Sequence, residues 1–164
     1  VWNWKGISGR WPFSGPESMQ MIPCLDLADA EAIVSSALQS AERSSSRVSI
    51  AVVDGAGLLI RFSRVDGASA ASVEAATAKA RTAALTGNDS AAAEQAIASG
   101  RLALLSLQGV LHQPCALMAG GLVLRSQGVV VGAIGVSGMT PDQDTAIARA
   151  GADCFELRAQ GCSS

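Results

Sequence analysis

Lys79 lies in an alanine-rich run, Ala75-Ala76-Thr77-Ala78-Lys79-Ala80, where a charge is out of place. Burying an ammonium without a partner is costly, so this lysine needs an explanation. It can contact an anion or carboxylate in a pocket, or act as an acid/base or nucleophile with a lowered pKa. It can also form a buried ion pair with Asp54 or Asp66, or remain solvated. Arg64 and Asp66 flank the turn before the same run. They read either as a structural pair, with the aspartate capping the next helix, or as a site in which Arg64 clamps a carboxylate through two N–H groups. Ser72 shares a helical face with Lys79, and Ser137 near a strand end can donate a hydrogen bond that orients a ligand. Gly120-Gly121 allow close approach of a backbone or a flat ligand. His112 is the only histidine. It is either the metal-ligating residue or a polar surface group, with Cys115 and Met118 as softer substitutes.

Several chemistries are excluded. There is no G-x-x-x-x-G-K-[ST] run and no Rossmann fingerprint. Ser137 stands in Gly135-Val136-Ser137-Gly138-Met139, which lacks the closing glycine of a nucleophile elbow. The four cysteines form no C-x-x-C pair, so no zinc signature is present. They read as free thiols in a reducing compartment, which implies a cytoplasmic protein; one or two disulfides in an extracellular protein is the alternative.

These side chains must be positioned by a small set of elements. Asp26 can cap a helix running to about Arg43, with Leu27, Ala30, Val34, Leu38 and Ala41 on one stripe. Arg47–Val53 and Leu58–Arg64 form a hairpin around Asp54-Gly55-Ala56-Gly57, with Leu58, Ile60, Phe62 and Arg64 on one face. A helix from Ser69 or Ser72 to about Leu85 carries Lys79, and a shorter one covers Ala91–Ser99. Residues 100–113 fit helix or strand equally. Leu122–Arg125 and Val129–Val136 form a second hairpin around Ser126-Gln127-Gly128. Thr140-Pro141-Asp142-Gln143 reads as a capping box opening the last helix, with Ile147, Ala150, Cys154 and Leu157 buried. Met21–Leu25 is a short edge strand or a lead-in.

Two hairpins without β-α-β alternation imply an antiparallel sheet with helices packed on it, an α+β fold of about five strands. The 164 residues suit one domain, over 21–164. Residues 1–20, with three tryptophans and a different composition, read as a leader, an arm or a cloning remnant. A formal net charge of −2 with no Lys/Arg cluster argues against nucleic acid. No apolar run approaches the roughly 18 residues of a membrane span.

Taken in order, Ser49–Asp54, Gly57, Arg64-Val65-Asp66-Gly67-Ala68, Ser72 and Lys79-Ala80-Arg81-Thr82-Ala83 resemble one family. So do Gly120-Gly121, Gly128–Gly138 and Asp142-Gln143-Asp144. The family is the GlcG/HbpS-like group, also called the haem-degrading or DUF336 domain, which includes the C-terminal domain of PduO-type proteins. The resemblance covers about Leu25 to Gly151. It implies a profilin-like or PAS-like sheet, a homo-oligomer of two to eight chains, and a small-molecule ligand, in some members haem. On that basis Arg64 and Lys79 would hold propionates, with His112 as the candidate axial ligand. The ligand-binding set is Arg64, Asp66, Ser72, Lys79, Gly120, Gly121 and Ser137. The alternative is an enzyme acting on a carboxylated or carbonyl substrate, with Lys79 as acid/base and Arg64 and Ser137 orienting it.

Overall fold

A computed structural model describes residues 22–161, with side chains to 158. The leader at 1–20 lies outside the described residues. Helix α1 spans Leu27–Arg43, capped by Asp26, whose carboxylate accepts from the Asp29 amide. Strands β1 (Ser49–Asp54) and β2 (Leu59–Arg64) form the first hairpin. Helix α2 (Ala70–Thr86) follows, and then α3 (Ser90–Ala98). A 3-10 turn at Leu102–Ser106 and a one-turn helix α4 (Leu107–Val110) resolve the ambiguous stretch. Strands β3 (Gly121–Ser126) and β4 (Val129–Ser137) form the second hairpin, and α5 (Pro141–Gly161) ends the fold.

The four strands form one antiparallel sheet in the order β2-β1-β4-β3. The sheet has four strands among the described residues, where the sequence suggested about five. The missing one is the proposed edge strand near Met21–Leu25. Residues 22–26 make no ladder, and Pro23 lacks the N–H that a ladder position needs.

Alternation along the two central strands divides the molecule into layers. Ile50, Val52, Ile134 and Val136 point to one face and meet α1 and α5, with Ile33, Val34, Ile147 and Phe155 in the core. Val53 and Ala133 point to the other face and meet Ala80, Ala83 and Ala84 of α2. Here the alanines have a structural cause. Gly135 lies on the α2 side of β4, and a Cβ there would stand 2.6 Å from the Ala80 amide nitrogen and still closer to the Ala76 carbonyl. Helix and strand therefore touch backbone to backbone.

Two expected stripes shift. In α1, Leu27 is exposed, and Ile33 and Ala37 complete the buried face. In α5, Leu157 is exposed, and the buried line runs through Asp144, Ile147, Ala148, Ala152 and Phe155. The single face expected for Ile60, Phe62 and Arg64 is broken by a register shift between β1 and β2, where Val52 opposes Arg61 but Val53 opposes Leu59. Ile60 then packs towards the α1 core, while Phe62 stands opposite Ala51.

Candidate functional site

Lys79 is 3% exposed and its carboxylate partner is Asp144, 2% exposed, in the first turn of α5. The Nζ atom donates to Asp144 Oδ2 at 2.8 Å and to the Val136 carbonyl at 3.0 Å. Asp144 Oδ1 in turn accepts from the Met139 amide at 3.0 Å. The expected partners are otherwise engaged or placed. Asp54 Oδ1 accepts from the Ala56 and Leu58 amides and holds the first hairpin turn. Asp66 is exposed and has no hydrogen-bond partner among the described residues. The ion pair thus ties α2, the end of β4 and the start of α5 into one knot.

Gly120 and Gly121 close this knot. A Cβ on Gly120 would stand 3.0 Å from Lys79 Nζ and 2.7 Å from the Val136 carbonyl. A Cβ on Gly121 would fall on the Lys79 carbonyl. The close approach read from the Gly-Gly pair is real, and what approaches is the chain itself. Arg64, Asp66 and Lys79 therefore do not form one wall facing Gly120, Gly121 and Ser137 across a pocket. The glycines pack on Lys79.

The hydroxyls occupy a third place. Ser72 Oγ lies 2.8 Å from Ser49 Oγ and donates to the Ser69 carbonyl at 2.6 Å. Ser49 is opposite both Ser137 and Arg64 in the sheet, so Arg64, Ser49 and Ser137 form a cross-strand row. Ser137 is 9% exposed. Ser49 escaped sequence reasoning; its signal was the outlying hydroxyl in an otherwise apolar strand.

Arg64 and Asp66 line an open cleft of about 550 Å³ between the end of α1 and the β2–α2 turn. Leu38, Ala41 and Val65 make it apolar; Glu42, Ser45, Ser46 and Arg47 supply polar atoms. Arg64 Nε donates to the Ala68 carbonyl at 3.1 Å, and Nη2 donates to the same oxygen. This anchors the guanidinium while leaving Nη1 available. Ser69, not Asp66, caps α2 by accepting from the Ser72 amide. Arg47 runs across Gly67, which has φ of +80°; a Cβ there would stand 3.1 Å from Arg47 Cδ. Arg47 was missed because nothing in its local sequence marks it; only the folded turn brings it beside Arg64.

His112 is exposed in the loop after α4 and is not part of the cleft lining. No group of three or more His, Cys, Asp or Glu side chains suited to a metal occurs among the described residues. Cys24, Cys115 and Cys154 are free thiols, and Cys162 lies outside the described residues. Burial pushes the Cys115 thiol above its ordinary pKa, partly offset by a hydrogen bond with Thr82 and by the Arg81 charge. No helix among the described residues is long and apolar enough to cross a membrane.

The cleft can do two things chemically. Its guanidinium groups can pair with carboxylates, and its aliphatic wall can cover the edge of an apolar ring system. It offers no histidine, cysteine or methionine for an iron.

The sequence pattern of the family described as haem degrading protein HbpS-like matches residues 25–153. Among solved structures, protein ORFY of Klebsiella pneumoniae is 29% identical with a TM-score of 0.78, covering 87% of this chain and 98% of that one. A double mutant of Streptomyces reticuli HbpS is 28% identical with a TM-score of 0.75, covering 88% of this chain and 97% of that one. PduOC, solved as a haem complex, is 26% identical with a TM-score of 0.74, covering 80% and 95%. No curated protein matches the chain.

Proposed function

From the premise that this chain belongs to the HbpS-like family, we propose that it binds haem or a related tetrapyrrole through the ligand's carboxylates. The observation that carries the proposal is the pairing of Arg47 and Arg64 on a cleft walled by Leu38, Ala41 and Val65. A cleft of about 550 Å³ falls in the range of small-molecule sites. Arg64 is held by the Ala68 carbonyl before any ligand arrives, so less side-chain entropy is lost on binding. The haem complex of PduOC supports the ligand class. The reading includes a homo-oligomer in a reducing, cytoplasmic setting, with one domain over residues 21–164.

Bound haem would supply redox chemistry at its iron. The residues of this chain bind and orient it: Arg47 and Arg64 pair with the propionates, and the aliphatic wall excludes water from one edge of the ring. Lys79 is committed to Asp144 and the Val136 carbonyl, and Gly120 packs against its Nζ atom, which leaves no room for a substrate there. That geometry favours a binding role over acid/base catalysis by Lys79.

Absorption titration with haem tests the proposal. Stoichiometric haem shifts the Soret band of the wild-type complex, and the Arg47→Ala/Arg64→Ala double variant binds at least about tenfold more weakly, the loss of one charge-assisted contact being worth about 1.5–3 kcal/mol. His112→Ala leaves the spectrum unchanged. Absence of a Soret shift, or equal affinity in the arginine variant, overturns it.

A further inference from the structure

Three consecutive serines, Ser44-Ser45-Ser46, close α1, and they are not equivalent. The Ser46 amide donates to the Ala41 carbonyl at 2.8 Å, and the Ser45 amide to the Glu42 carbonyl at 3.0 Å. That pair of bonds is a common helix ending, in which the residue just past the cap turns left-handed and is usually glycine. Here it is Ser45, with φ of +50°. Among the described residues only one other non-glycine has a positive φ, Gln127, in the tight turn of the second hairpin, where that conformation is required. Helix α2 ends on a left-handed glycine, Gly87, with φ of +66°. A Cβ crowds the following carbonyl in this region, so serine is a less stable choice than glycine at position 45.

The hydroxyls separate the three serines further. Ser44 Oγ bonds within the turn, to the Ser40 and Ala41 carbonyls at 3.0 and 3.1 Å and to Ser46 Oγ at 2.9 Å. Ser46 is 3% exposed. Ser45 is exposed, its Oγ has no hydrogen-bond partner among the described residues, and it lines the same cleft as Arg47 and Arg64. From these observations we infer that Ser45 is a binding residue of the cleft, its hydroxyl donating to a carboxylate oxygen of the ligand that the two arginines pair with. The inference rests on the proposed function and adds to it a neutral, directed donor. In the free protein this hydroxyl faces water. Exchanging that water for a carboxylate is a net gain, because hydrogen bonds to charged groups are the stronger ones. Strained backbone of this kind is found at ligand clamps, where the surrounding structure holds it in place. Glycine at 45 would relieve the backbone and remove the donor, so stability and affinity pull the position in opposite directions.

Fluorescence titration with iron-free protoporphyrin, beside thermal unfolding of the unliganded chain, tests the inference with Ser45→Gly and Ser45→Ala. The two variants differ in stability. Ser45→Gly raises Tm by roughly 1–4 °C, and Ser45→Ala, which keeps the Cβ, leaves it unchanged or lowers it. Both lose the hydroxyl, so both bind protoporphyrin about five- to tenfold more weakly than the wild type. A serine that served the turn alone would leave affinity untouched in the more stable glycine variant. Wild-type affinity in either variant, or a Ser45→Gly chain that melts below the wild type, overturns the inference while the Arg47–Arg64 cleft stands. Absence of saturable protoporphyrin binding by the wild type overturns the proposed function, and the inference with it.

Discussion

At the scale of residues, the same chemistry takes two roles according to burial. Lys79 and Arg64 are both cations on the elements of the first hairpin and the helix that follows it. Lys79 is sealed by Gly120 and paired with Asp144, whereas Arg64 keeps part of its guanidinium in an open cleft. Breaking a buried pair leaves an uncompensated charge. Lys79→Met and Asp144→Leu should therefore each cost about 3–5 kcal/mol in denaturant unfolding, with the double variant recovering much of that loss. Single variants at wild-type stability would show the pair to be dispensable. Cys115 gives a second prediction. Its pKa is raised by burial, so at pH 8 less of it is thiolate than of an ordinary thiol. Alkylation of Cys115 should lag that of exposed Cys24 at pH 8, and the gap should narrow as the pH rises into the alkaline range. The same raised value means that neutral Cys115 favours the folded state below the ordinary thiol pKa, a contribution lost as pH rises through the folded value.

At the scale of elements, α2 is the organising piece, because the sheet and the connection 114–121 enclose it. Ala116 and Thr82 exchange hydrogen bonds across that contact at 2.9 and 3.0 Å. Gly135→Ala should cost about 1–3 kcal/mol or more, because the added methyl meets backbone atoms of Ala76 and Ala80 that cannot yield. Unchanged thermal unfolding of that variant would contradict the direct helix–strand contact. The periodicities of α1, α2 and both hairpins were legible in the sequence, since each carries its caps and turn residues locally. Thr140 and Gln143 close the expected capping box through two reciprocal contacts, the longer at 3.4 Å. The hairpin register was not legible. A bulge at Ile60–Arg61 needs no unusual residue, so alternation alone sent Ile60 to the wrong face. Leu102–Val110 was ambiguous because its apolar residues answer to no core among the described residues.

At the scale of the whole molecule, the residues singled out in the sequence fall into three places. One is the Lys79–Asp144 knot, one the Ser49–Ser72–Ser137 row, and one the Arg47–Arg64 cleft. They were read as one pocket because a linear sequence shows which residues are unusual and not which layer they occupy. The α+β class and the family were legible, because ordered motifs survive where side-chain contacts are not visible. The partner of Lys79 is 65 positions away, a separation no local pattern reports. The cleft, in contrast, is built at the junction of the α1 end and the β2–α2 turn, and Gly67 shapes it. Gly67→Ala forces a left-handed backbone on a residue with a Cβ and pushes Arg47 aside. It should weaken tetrapyrrole binding and lower stability by about 1 kcal/mol. Binding at wild-type affinity would remove Arg47 from the site.

The central claim is that the cleft reads carboxylates, and iron-free protoporphyrin tests it without any contribution from the metal. Fluorescence titration should give saturable binding of one protoporphyrin per chain. Its dimethyl ester, identical in ring and lacking the two charges, should bind at least about tenfold more weakly. Equal affinity for acid and ester, or no saturable binding of the acid, would contradict it.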